Sequence, residues 1–324
     1  YLAGLLSIPN LGPAKARVLL KCFGSAQKVW TADYQDLKEA GLDAVTCNNL
    51  LLHREKLDLN KLSNRWTELG IKLCSYNEPD YPILLRHIAN PPLLLYYRGE
   101  LYNSDKNLAI VGSRRASSYG KNVAQMLGSE LAAAGFTVVS GAARGIDTAA
   151  HLGALTQGRT IAVLGSGVDV VYPPENAKLL NQIAAQGAVI SEYPPGTAPH
   201  ARHFPARNRI ISGMSRVVVI VEAAEKSGAL ITADFALEQG RDVFAVPGSV
   251  FSPLSKGTHN LIKQGAKLVE KVSDILEEYG VNPPVTAKCQ DKKLSADAVK
   301  IYQALSCEHP SSLEEIVGKT QLPL

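Results

Sequence analysis

The sequence predicts an α/β protein: a doubly wound, mostly parallel sheet, with small helical segments before and after it. Three observations predict the sheet. From Leu108 to Tyr279, short apolar runs alternate with helical patterns. The runs are continuous rather than alternating in polarity, as strands are when helices cover both faces. Strand after strand ends in glycine, serine or arginine. Right-handed crossovers gather those ends on one edge, where open α/β sheets bind ligands.

Residues 1–70 read as a helical domain of leucine-rich periodic runs with short breaks. Between two such runs, Ile8-Pro9-Asn10-Leu11-Gly12-Pro13-Ala14 resembles the turn of a helix–hairpin–helix module, in which glycines let the backbone approach a DNA phosphate. Asn10 stands at the first glycine position and tolerates the left-handed conformation. The segment is therefore read either as a DNA contact or as a structural or partner-binding turn. In residues 71–107, Ile71–Leu73 and Leu93–Tyr97 read as strands that extend the sheet at its edge, joined through a loop-rich, proline-bearing connection.

The central unit follows in order. Strand Leu108–Val111 ends in Gly112-Ser113-Arg114-Arg115 and leads to a helix over Ser118–Ala134. Strand Thr137–Val139 ends in Ser140-Gly141-Ala142-Ala143-Arg144-Gly145, with a helix opening at Ile146-Asp147. In this strand–turn–helix, backbone N–H groups and the positive end of a helix are expected to face an anion. Strand Thr160–Leu164 precedes a helix over Pro174–Gln186 that carries Lys178. Strand Ala188–Ile190 ends near Glu192, and a helical stretch over Pro205–Ser212 carries Arg207-Asn208-Arg209. Strand Arg216–Val221 ends in Glu222-Ala223, then Ser227-Gly228 and a helix over Ile231–Gln239. Strand Asp242–Val246, then helices over His259–Gln264 and Ser273–Tyr279, close the unit.

The chain's formal net charge is +4, and the stretch Leu108–Arg216 accounts for it, with ten Lys/Arg against five Asp/Glu. Eight of the ten are arginines, suited to bidentate phosphate contact. The dinucleotide fingerprint is absent after the first central strand, and there is no P-loop. The crevice is therefore read as a site for several phosphates, such as a nucleic-acid backbone. Aromatic residues, at 6%, argue against a surface built mainly of stacked rings. The five cysteines are dispersed and form no C-x-x-C, which reads as reduced thiols of a cytoplasmic protein. No apolar run reaches the length of a membrane span.

Ser140, Asp147 and His151 suggest a hydrolase triad only superficially, because Ser140 is not in G-x-S-x-G. Asp147 and His151 read as structural supports. Glu192 and Glu222 read as salt-bridge partners of neighbouring arginines, with an acid/base pair acting on a nucleotide as the alternative. No metal site, cofactor site or nucleophile is specified.

The ordered motifs Ile110–Arg114, Ser140–Asp147, Tyr172-Pro173-Pro174-Glu175-Asn176, Phe204–Ser212, Ser227–Thr232 and Val246-Pro247-Gly248 closely resemble the bacterial DNA-processing protein A family (DprA, also called Smf). The match is strong over residues 76–270 and loose on the flanks. The resemblance implies an extended Rossmann-like domain over 71–280 that binds single-stranded DNA without catalysis. It implies passage of that DNA to the RecA recombinase in natural transformation, and a homodimer formed through that domain. It further implies a linker over 281–293 and the start of a winged helix over 294–324. Carried onto this sequence, it matches Arg114 of the Gly112-Ser113-Arg114 turn, and Arg144 with its flanking Gly141 and Gly145, to the family's phosphate-binding pocket, and Arg207 and Arg209 to its Arg-Asn-Arg segment. Lys178 is a further basic candidate, and Arg115, Ser140, Ser227 and Gly228 at the strand ends complete the expected DNA-binding set. Ala142 departs from the usual leucine, and His259 interrupts the usual Gly-Thr-Asn order.

Overall fold

The computed structural model describes residues 1–280, 295–305 and 311–322. Tyr1–Asn282 form one compact unit and Pro283–Leu324 a second. The expected linker, 281–293, lies outside the described residues, as do Cys289 and Cys307.

The sheet of the first unit has nine strands: β1 (Lys72–Ser75), β2 (Leu94–Gly99), β3 (Asn107–Val111), β4 (Thr137–Ser140), β5 (Thr160–Val163), β6 (Ala188–Ser191), β7 (Val217–Ile220), β8 (Asp242–Ala245) and β9 (Lys267–Leu268). Their spatial order is β1-β2-β6-β5-β4-β3-β7-β8-β9. From β6 to β9 every pair is parallel, while β2 runs antiparallel to both β1 and β6. The expected doubly wound α/β sheet is present, and the strands of residues 71–107 extend its edge. Strand β9, two residues long, is too short to leave a sequence signal.

The continuous apolar strands have the burial their composition requires. All five residues of β3 are buried. Leu108 and Ile110 face the helices Ser118–Ala133 and Ile146–Ala154, packing with Leu127, Leu131 and Ala150. Ala109 and Val111 face the other way, packing with Ile210 and Ile211 of the helix His203–Gly213 and with Ala229 and Ala233 of the helix Gly228–Glu238. Truncating one of the fully buried leucines to alanine would cost about 2–5 kcal/mol. The helix Ser118–Ala133 opens where Ser117 Oγ accepts the Gly120 N–H at 3.0 Å, and the chain leaves it through Gly135 at φ +82°.

Residues 1–70 form six helices with their own core around Leu5, Leu19, Leu37 and Leu50. Trp66 joins them to the sheet through an edge-on contact with Tyr96 of β2, ring centroids 5.4 Å apart. Asn10 does adopt the left-handed conformation, at φ +68°, and Gly12-Pro13 starts the helix Pro13–Phe23. In the second unit the described residues hold two helices, Ala296–Ala304 and Leu313–Thr320, opened by the side-chain caps of Ser295 and Ser312.

Candidate nucleic-acid interface

The chain winds outward from β3 through β4 and β5 to β6, then returns to place β7 against the other side of β3. The strand order reverses between β3 and β7, and crossovers there leave a crevice outside the strand ends. A cavity of about 780 Å³ opens at that place. Among the sequence-predicted residues, Gly112, Ser113, Arg114, Arg115, Arg207, Ser227 and Gly228 line it. Ser140, Gly141, Arg144, Gly145, Lys178 and Arg209 do not.

Glycines let three turns interlock beneath the cavity. The Ser113 N–H donates to Glu222 O at 2.7 Å, joining the β3 turn to the β7 turn. The Ile146 N–H donates to Ser113 O at 3.2 Å, joining the β4 turn to the β3 turn. Gly145 sits at φ +79°, and a β-carbon there would lie 2.8 Å from Arg114 O. The backbone of the arginine turn can therefore rest on residue 145 only because that residue is glycine.

The anion that the β4 turn was expected to recruit is the protein's own. Gly141 and Ala143 donate their N–H groups to Asp147 Oδ2 at 3.2 and 3.3 Å. Ser140 is fully buried and donates its hydroxyl to Ile110 O at 2.6 Å. These groups are consumed internally, which corrects the expectation that Ser140 and the Gly141 backbone face a ligand. Burial pushes the Asp147 carboxyl up, opposed by the charge of Arg207 and by the two N–H donors. Arg207 is itself buried, donates to Val163 O, and is pulled down to about 10 by burial against the favourable charge of Asp147. Below them His151 bonds Thr160 Oγ1 through Nδ1 at 2.7 Å, fully buried. Asp147 and His151 are supports, as read from the sequence. Asn176 adds a clamp, donating to Ala142 O at 3.0 Å and Thr148 Oγ1 at 2.9 Å. Ala142 holds φ +52° inside this clamp.

Arg114 and Arg115 are the exposed cations of the cavity wall, and Arg114 is the one that meets an aromatic ring. Its guanidinium carbon lies 5.0 Å from the centre of the Phe204 ring, and among the described residues no carboxylate lies within ion-pair distance. Phe204 in turn leans on Tyr172, ring centroids 5.3 Å apart. Neither aromatic was singled out from the sequence, although both stand in the quoted motifs. An aromatic content of 6% carries no information on where rings gather, and here two of them stand in the cavity wall beside an arginine. Ser227 caps the helix Gly228–Glu238, accepting the Ala229 N–H at 3.3 Å, and Gly228 lies open beside it.

The remaining predicted residues lie outside the cavity wall. Arg144 is exposed at the tip of the β4 turn, paired with Glu175. Lys178 is exposed in the first turn of the helix Ala177–Gln186. Arg209 forms a largely buried ion pair with Glu192 at 2.6 Å, which is the role expected of Glu192. Glu222 departs from its expected pairing with arginine: its carboxylate is buried and accepts the Ser117 N–H at 2.9 Å and the Ser117 hydroxyl at 2.5 Å. The two carboxylates of the alternative acid/base pair, Glu192 and Glu222, are both engaged by groups of the scaffold. Among the described residues no group of His, Cys, Asp and Glu is placed to hold a metal ion, and no helix is long and apolar enough to cross a membrane.

Residues 72–280 match the model of a family described as DNA recombination-mediator protein A. The chain belongs to this family. It is 38% identical over 297 residues to protein Smf of Synechocystis, covering 90% of this chain and 75% of that one. It is 49% identical over 205 residues to DNA processing protein DprA of Streptococcus pneumoniae, covering 61% of this chain and 71% of that one. The crystal structure of the S. pneumoniae protein superposes with TM-score 0.72 at 38% identity, over 86% of this chain and 96% of that one. The Helicobacter pylori family member, whose structure is described in terms of its single-stranded DNA binding mode, superposes with TM-score 0.58 at 30% identity, over 64% of this chain and 95% of that one.

Proposed function

We propose that the crevice between β3 and β7 binds single-stranded DNA without cleaving it. The observation that carries this reading is Arg114: an exposed guanidinium with no carboxylate partner among the described residues, set against the Phe204 ring in the cavity wall. A cation beside an aromatic face is a pairing that single strands use, phosphate to the charge and base to the ring. Direct contact is assigned to Gly112, Ser113, Arg114, Arg115, Ser227 and Gly228, with Arg144 and Lys178 as outlying cations along the backbone path. Ser140, Gly141, Gly145, Arg207 and Arg209 position the turns that present them. The description of the H. pylori protein supports the same ligand class.

The wider role follows the family resemblance. The protein protects incoming single-stranded DNA and delivers it to the RecA recombinase in the cytoplasm during natural transformation, acting as a homodimer joined through the α/β domain. The division into a helical domain over 1–70, an α/β domain over 71–280 and a partial winged helix over 294–324 belongs to the same proposal. Against the rival reading, an enzyme acting on a nucleotide, stands the engagement of its two candidate carboxylates, Glu192 with Arg209 and Glu222 with Ser117. A gel-shift series with labelled single strand and three unlabelled competitors separates the two. Competition by single strand, and not by duplex or mononucleotide at matched nucleotide concentration, is expected. Equal competition by mononucleotide would overturn the single-strand reading.

A further inference from the structure

Phe251 is 93% exposed and its neighbour Val250 is 75% exposed. Both stand on the loop that follows β8, on the same sheet edge as the crevice. An apolar ring left in water is unfavourable relative to one that is covered. The loop that carries it is fixed. The Phe251 N–H donates to Ser249 Oγ at 3.3 Å and the Ser252 N–H to Ser249 O at 3.0 Å, making a tight turn with the ring near its tip. The turn is bolted to the crevice: the Ala223 N–H donates to Leu254 O at 2.7 Å, and the Gly257 N–H to Ala223 O at 2.8 Å. On the other side, the Tyr119 hydroxyl donates to Pro247 O at 2.8 Å. Leu254, three residues beyond Phe251, lines the cavity itself.

Strand β8, from which the loop departs, lies two strand spacings from β3, about 10 Å along the sheet. Two exposed cations belong to the segments that the Ala223 backbone bonds join. Lys226 of the β7 turn and Lys256, which opens the helix Lys256–Lys263, have no carboxylate within ion-pair distance among the described residues; Glu225 is the exposed acid on the same turn.

We infer that Phe251 is a stacking platform for a base of the same DNA strand where it leaves the crevice on the β8 side, with Lys226 and Lys256 beside the backbone. The inference rests on the single-stranded-DNA reading of the crevice and extends it by one subsite. An aromatic face stacks on any base, so this subsite adds affinity without sequence preference. A rigid loop adds it at low entropic cost. Continuity with the cavity wall through Leu254 selects DNA as the occupant over a second protein.

The test compares wild type, Phe251→Ala, Phe251→Trp and Arg114→Ala on oligothymidylates of increasing length. Phe251→Ala should leave the shortest binding oligomers unaffected and weaken longer ones by roughly fivefold or more. The slope of log affinity against log salt should not change, because no phosphate contact is lost. Phe251→Trp should keep the wild-type affinity, with its added emission quenched by long oligomers and not by the shortest. Wild-type affinity of Phe251→Ala at every length would overturn the inference. So would a loss of oligomeric state in that variant by sedimentation, which would make the ring a contact between copies of the chain. If Arg114→Ala binds normally, the reading of the crevice fails; if Arg114→Ala is weakened and Phe251→Ala is not, only the subsite fails.

Discussion

Gly141 and Arg207 share one space: the Arg207 guanidinium occupies the position that a β-carbon on residue 141 would need. Arg207 is 3% exposed, so it has nowhere to retreat. Gly141→Ala is expected to cost about 1–3 kcal/mol through overpacking. It should also weaken single-stranded DNA binding several-fold by shifting the turn beneath Arg114. Thermal denaturation and a binding isotherm check both effects, and an unchanged melting temperature would show that the guanidinium moves aside freely.

His151 makes stability depend on pH in a stated direction. Burial, and secondarily the charge of Arg207, hold its imidazole down at about 3 in the folded protein, against 6.5 ordinarily. Between those values the unfolded chain takes up a proton that the folded chain refuses. The contribution of neutral His151 is therefore complete above the ordinary value and is lost as pH falls toward the folded one. The loss is roughly 1.4 kcal/mol per pH unit. His151→Asn keeps a partner for Thr160 and removes the titration. Urea unfolding of both proteins at about pH 7 and about pH 5 should show the wild type losing its advantage at the lower pH. Parallel stability curves would contradict the assignment.

If Arg144 lies on the proposed DNA path, Glu175 is its competitor, because the two are paired in the free protein. The pair is solvent-exposed, 63% for the arginine side chain and 49% for the glutamate. Its removal should hardly alter folding. Glu175→Gln frees the arginine, so single-stranded DNA affinity at low salt should rise, and Arg144→Ala should cancel the rise in the double variant. Equal affinities of wild type and Glu175→Gln would place Arg144 off the DNA path.

Much of this architecture was legible in the sequence because its signals are local. Continuous apolar runs such as Leu108–Val111 and Val217–Ile220 require helices on both faces. Glycine and arginine at their ends mark the edge where the cavity opens. What stayed hidden depends on which chain segments meet. The sequence of Ser140-Gly141-Ala142-Ala143 is that of an anion-binding turn, and only the fold shows that Asp147, a few residues on, fills it. Arg207 and Arg209 read alike in Arg-Asn-Arg. Two positions apart on a helix, they face different surroundings: one is buried over Gly141, the other is locked to Glu192. Glu222 was expected to meet an arginine and instead caps the chain at Ser117, a residue 105 positions away. The aromatic wall was missed because composition counts rings without saying where they gather.

The salt dependence of single-stranded DNA binding by Arg114→Ala tests the central claim most directly. Arg114 is exposed and carries no ion pair among the described residues, so its removal should leave the melting temperature near that of the wild type. If its guanidinium holds a phosphate in the cavity, the plot of log affinity against log salt should flatten by roughly one unit, with weaker binding at low salt. A variant whose affinity and salt slope both match the wild type would place the DNA elsewhere on the protein.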